Sequence, residues 1–105
     1  MRQWRQKDEQ EPDGAFKEIA FIRMAPAEFA DRFEINFTQR AHGKREMLSY
    51  AAVELRSGAR YFLQHETKLS DEGIWLYGSA ERDARLQCDE FAEAFGIEST
   101  DIAAF

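Results

Sequence analysis

The sequence predicts an α+β fold: a mostly antiparallel sheet of about five strands, a short helix after the first strand, and a C-terminal helix packed on one sheet face. Three observations lead there. Residues 47–77 (MLSYAAVELRSGARYFLQHETKLSDEGIWLY) hold three successive strand-like runs whose apolar residues fall on two faces. Ala84, Cys88, Phe91, Ala92 and Phe95 recur at the spacing of one helical face. The connections between these runs are short, which favours antiparallel neighbours.

A chain of 105 residues, 13% of them aromatic, is long enough to bury a core without cross-links. Its one cysteine rules out an internal disulfide. No apolar run approaches the roughly 20 residues that cross a bilayer. A cytoplasmic protein without membrane contact is the expectation. The net charge of −6 is unevenly spread. Residues 15–78 hold nine basic and nine acidic residues, whereas residues 79–105 set Arg82 and Arg85 against seven Asp and Glu. An acidic chain with a neutral sheet region lacks the positive surface that nucleic acid requires, so direct nucleic-acid binding is not expected.

Residues 1–14 are almost wholly polar and read as a flexible tail, leaving 15–105 as a single α+β domain. Trp4 is the one residue there able to dock on the body or on a partner. Residues 15–23 predict a strand with apolar residues on both parities, Phe16, Ala20 and Ile22 against Ile19 and Phe21, as in a strand covered on both faces. Residues 24–32 predict the short helix. Pro26 and Glu28 suit its first turn, and Ala25, Phe29 and Phe33 make a stripe. Residues 33–40 alternate cleanly, Phe33, Ile35 and Phe37 against Glu34, Asn36, Thr38 and Arg40, which predicts a half-buried strand.

The turn at Gly58 permits a register to be argued. A three-residue loop, Arg56-Ser57-Gly58, puts Gly58 in the left-handed position of a type I turn with a G1 bulge. Leu55 then pairs with Ala59, Val53 with Tyr61, and Ala51 with Leu63, all on an aliphatic face. A two-residue Ser57-Gly58 loop would set Arg60 beside Leu55 instead, and is disfavoured for that reason. The opposite face carries Tyr50, Ala52, Glu54, Arg60, Phe62 and Gln64. In the third run, Ile74 and Leu76 face one way, Trp75 and Tyr77 the other. Ser79 is the expected N-cap of a helix over about 80–95, with Gly96 as its left-handed C-cap and Ile97 as the accompanying apolar contact. Leu86 lies opposite the stripe and should be exposed.

No motif carries a reaction. There is no glycine-rich phosphate loop, no glycine-framed serine, and no His, Cys or His–carboxylate spacing suited to a metal. Neither a metal nor a cofactor is expected, and the chain reads as a binding protein rather than an enzyme. Cys88, on the apolar stripe beside Asp89 and Glu90, fits a buried thiol better than a nucleophile. His65 faces Ser49 in the favoured register, with Tyr61 on the same parity. These three define an alternative pocket for a small ligand or substrate between sheet and helix, weighed against an ordinary, partly buried histidine. Arg40, Lys44 and Arg45 make a candidate anion-binding loop, weighed against a solvated turn.

Partner binding is the stronger reading. Tyr50, Phe62, Trp75 and Tyr77 line the second sheet face, and such residues are enriched at interface hot spots. The competing account is that the tail, the first helix or the C-terminus covers them. Glu81, Asp89, Glu90 and Glu93 give the last helix an acidic face that either complements a basic surface or merely solubilises the chain. The expectation is a small acidic protein-binding module of the inhibitor or immunity type, engaging a protein partner or a second copy as a homodimer.

Overall fold

The computed structural model describes residues 3–7, 14–41, 47–66 and 73–104. In chain order the elements are β1 (Trp4–Lys7), β2 (Phe16–Ile22), α1 (Pro26–Phe33), β3 (Thr38–Ala41), β4 (Met47–Leu55), β5 (Arg60–Glu66), β6 (Ile74–Ser79), α2 (Ala84–Phe95) and β7 (Ile102–Ala104). All strands join one antiparallel sheet in the order β1-β4-β5-β6-β2-β7, and β3 shares with β1 the remaining side of β4. The class is the expected one. Two short edge strands, β1 and β7, raise the count to seven.

The β4–β5 register follows from the turn. Leu55 donates its N–H to the Ala59 carbonyl at 2.8 Å and Gly58 donates to Leu55 at 2.9 Å, with Gly58 at φ 95°. Val53 then sits opposite Tyr61, Ala51 opposite Leu63 and Ser49 opposite His65. Only glycine takes that φ without steric cost, which is why the third loop residue decides the pairing.

Three expectations are corrected. Residues 4–7 of the presumed tail form β1, in which Trp4 is buried opposite Leu55 and stacks on Phe95 at 4.5 Å. Residues 33–37 are not a strand. Phe33 completes α1 and packs on Phe29 and Phe95 at ring distances of 4.6 and 5.2 Å. Glu34 ends the helix in the left-handed conformation, φ 55°. The alternation there reports burial, because Ile35 is buried, but the backbone partner of Asn36 is a side chain. The Gln6 amide donates to the Asn36 carbonyl at 2.7 Å and accepts the Asn36 N–H at 2.9 Å. Finally, Ser79 closes β6 instead of capping α2. The cap is Asp83, whose carboxylate accepts the Leu86 N–H at 3.0 Å.

In β2, a bulge between Glu18 and Ala20 explains the apolar residues on both parities. It turns both Ile19 and Ala20 into the core with Ile22, and leaves Phe16, Glu18 and Phe21 on the other face beside Ser79, Tyr77 and Trp75. The core lies between the sheet and both helices. Val53, Tyr61, Leu63, Ile74 and Leu76 meet Cys88, Phe91 and Phe95 of α2 and Phe29 of α1. Burial of each large side chain here contributes roughly 1.5–3 kcal/mol. Gly96, φ 68°, ends α2 and Ile97 donates to Ala92 at 2.9 Å, so the helix stops where the glycine requires.

Candidate functional site

The second face of the sheet is built by register. Across it run Arg5 and Lys7 of β1, Tyr50, Ala52 and Glu54 of β4, Arg60, Phe62 and Gln64 of β5, Trp75 and Tyr77 of β6, and Phe16 and Phe21 of β2. Neither helix lies here, since the buried residues of both belong to the core on the other side. The face has its own apolar centre. Phe62, Ala52 and Leu48 are buried, and Phe16 meets Phe62 edge-to-face at 4.7 Å. Around that centre Tyr50, Trp75, Tyr77 and Phe21 are half-buried. Phe21 packs on Trp75 at 4.8 Å, and the Tyr77 hydroxyl donates to Glu18 at 3.0 Å. Phe62 is therefore a support for this face, whereas Tyr50, Trp75 and Tyr77 present surface.

One end of the face is charged. Arg5 donates through Nε and Nη2 to one oxygen of Glu54 at 3.0 and 2.7 Å, with Lys7 at 3.9 Å and Arg60 at 3.7 Å from the same carboxylate. The hydrogen bond from Arg5 is the main reason the Glu54 carboxyl titrates below its ordinary range. Three cations around one acid make this end the basic margin of the aromatic centre.

The acidic helix surface is elsewhere. Asp89 and Glu93 of α2 are exposed, as is Glu81, which lies in the turn before the helix and not on its face as expected, and Leu86 at 66% is the exposed large apolar residue among those described. Glu90 has an internal duty: it accepts the Tyr61 hydroxyl at 2.8 Å and lies 3.5 Å from Arg82. Burial, then Glu90, pushes the Tyr61 phenol far above its usual value. Because α2 covers one sheet face and the aromatics lie on the other, a single flat partner surface reaches one set and not both. Within α2, Gln87 is buried and holds the end of β6, accepting the Ser79 N–H at 2.8 Å and donating to the Ser79 and Arg82 carbonyls at 2.9 and 3.1 Å. A side chain at Gly78 would run into that amide and into Ile19.

Ser49 and His65 are opposite one another, as the register requires, but Tyr61 does not join them. Leu63 lies between, and the Tyr61 ring is fully buried with its hydroxyl engaged under α2. His65 Nδ1 lies 2.7 Å from the Gly73 carbonyl oxygen, which only accepts, so this nitrogen carries the proton. Two surface hollows adjoin the β4–β5 turn. Trp4, Arg5, Glu54, Leu55, Arg56 and Gly58 line one, and the other lies between that turn and Glu90, Glu93 and Ala94; neither takes in Ser49, Tyr61 or His65. Cys88 is buried, and burial raises its thiol pKa. Of the candidate anion loop, Lys44 and Arg45 and the side chain of Arg40 lie outside the described residues. Among the described residues no cluster of His, Cys, Asp and Glu is arranged to hold a metal ion.

Sequence reasoning missed Phe16 and Phe21 on this face, because the bulge reverses their parity, and Arg5 and Lys7, because β1 was read as tail. The apolar residues on both parities of β2 were the available sign of the first. No family model matches the chain, and no curated protein or solved structure matches it either.

Proposed function

We propose that the chain is a small, acidic, non-enzymatic protein-binding module of the inhibitor or immunity type, engaging a partner protein through the second sheet face. One observation carries this reading: Tyr50, Trp75 and Tyr77 stand half-buried in adjacent register on a face that neither helix covers, beside the Arg5, Lys7 and Arg60 margin. Aromatic side chains with arginine nearby supply large contact area at low conformational cost, the usual make-up of interface hot spots. The acidic α2 surface points the other way and offers a second, separate contact for a basic surface. Among the described residues the groups with clearly shifted titration, Glu54, Tyr61 and Cys88, each owe the shift to a structural contact or to burial, which favours binding over catalysis. Among the described residues, neither hollow beside the β4–β5 turn takes in Ser49, Tyr61 or His65, and the Tyr61 hydroxyl is engaged under α2.

The test is a purified complex or self-association measured by sizing and titration calorimetry. Trp75→Ala and Tyr77→Ala should each weaken it tenfold or more while the far-ultraviolet circular dichroism stays unchanged. Phe62→Ala is the wrong probe, since its burial makes loss of folding the first effect. If both substitutions leave association intact while a small ligand raises Tm and His65→Ala abolishes that rise, the binding-face reading is wrong.

A further inference from the structure

We infer that the outer edge of β7, on which no other described strand pairs, takes up an extended, cationic segment of a partner protein as an eighth strand. The two sheet edges differ. The β1 edge carries Arg5 and Lys7, and Asn36 is tied to Gln6 beside it. β7 is Ile-Ala-Ala, with no charge, proline or bulge to discourage pairing.

Its hydrogen-bonding phase is fixed by a single contact. Arg23 donates its N–H to the Asp101 carbonyl at 2.7 Å, and the pairing continues through Ile22 with Ile102, Phe21 with Ala103 and Ala20 with Ala104. In an antiparallel ladder bonded and non-bonded pairs alternate, so the Asp101 carbonyl and both polar groups of Ala103 point at β2, while Ile102 and Ala104 point theirs outward; the Asp101 N–H closes the preceding turn on the Glu98 carbonyl at 2.9 Å. An incoming strand finds two residues' worth of donors and acceptors already extended. So short a ladder needs side-chain contacts as well, and the neighbouring surface offers them. Ala103 lies on the second face beside Phe21, which is half-buried against Trp75. A large apolar side chain opposite Ala103 can lie across that small residue onto Phe21. Its two neighbours in the strand point to the other side, where α2 and the following turn expose Asp89 and Glu98.

Charge selects the occupant. The segment over residues 79–105 has two basic residues against seven acidic ones, so a cationic strand is attracted and a second copy, itself at −6, is repelled. This is strand addition at a sheet edge, in which main-chain bonds supply affinity and alternate side chains supply selectivity. It does not depend on the Tyr50–Tyr77 surface.

The probe is a capped hexapeptide alternating lysine with valine or phenylalanine, titrated into the full chain by NMR with amide hydrogen exchange. Saturable binding should slow exchange at Ile102 and Ala104 by at least tenfold. Ala104→Pro removes an outward N–H and spares the bonds to β2, so affinity should fall at least tenfold while the amides of β2 keep their protection. An N-methylated peptide should bind as poorly. The inference is overturned if Ala104→Pro binds with full affinity, or if the peptide perturbs only the acids of α2. Trp75→Ala leaves this binding within a few-fold, which separates the edge from the aromatic surface.

Discussion

At the scale of single residues, the informative side chains are those whose chemistry is completed from far along the chain. Glu54 is held by Arg5, and that pair was invisible as long as residues 1–14 read as tail. Its carboxyl titrates lower folded than unfolded, so it adds stability above the ordinary glutamate range and loses it as pH falls through the folded value. Arg5→Ala should therefore flatten the fall of Tm between about pH 5 and pH 3. Added salt should have the same flattening effect on the parent chain, because the pair is exposed and screened. An identical acid limb in both proteins would show that the pair contributes nothing. Glu90 makes the same point: its acidity was legible, but its role beneath the Tyr61 hydroxyl depended on a strand that lies well before it.

At the scale of elements, what was legible was what local chemistry decides. The β4–β5 hairpin follows from Gly58, whose positive φ is required by the loop that keeps Arg60 off the core face. Gly58→Ala should cost about 1–2 kcal/mol, the penalty of left-handed backbone for a residue with a Cβ, measured by denaturant unfolding. Gly14→Ala, at an exposed turn with open space around the position, is the control and should be near neutral. An equal cost at both sites would mean that the turn does not specify the register. The stripe of α2 and its glycine end were equally local. The failures were not local. β1 is four residues long, its second inward position is the polar Gln6, and its partner lies across the middle of the sequence. The alternation over 33–37 was real as a burial pattern, yet Asn36 finds its strand-like partner in an amide side chain. The bulge in β2 changed which Phe residues share a face, and only pairing with β6 reveals it.

At the scale of the whole molecule, the sheet divides two surfaces of different character. One side is a core capped by an acidic helix, and the other is aromatic with a basic margin. Trp4 ties the far edge to that core through Phe95 and, at 6.4 Å, Phe33. Trp4→Ala should cost about 3–5 kcal/mol in unfolding free energy, as large aromatic truncations in packed sites do. An unchanged Tm would mean that β1 is an ornament on the sheet.

That stack has a consequence for how the chain comes to be folded. Trp4 is synthesised long before Phe95, which its ring lies against. The edge of the sheet therefore cannot close before α2 has been made, and until then the indole lacks its stacking partner. Docking of Trp4 is then a late kinetic event, governed by closure of the long loop between Trp4 and Phe95. In a Trp75→Phe background, the remaining indole emission would time that event directly.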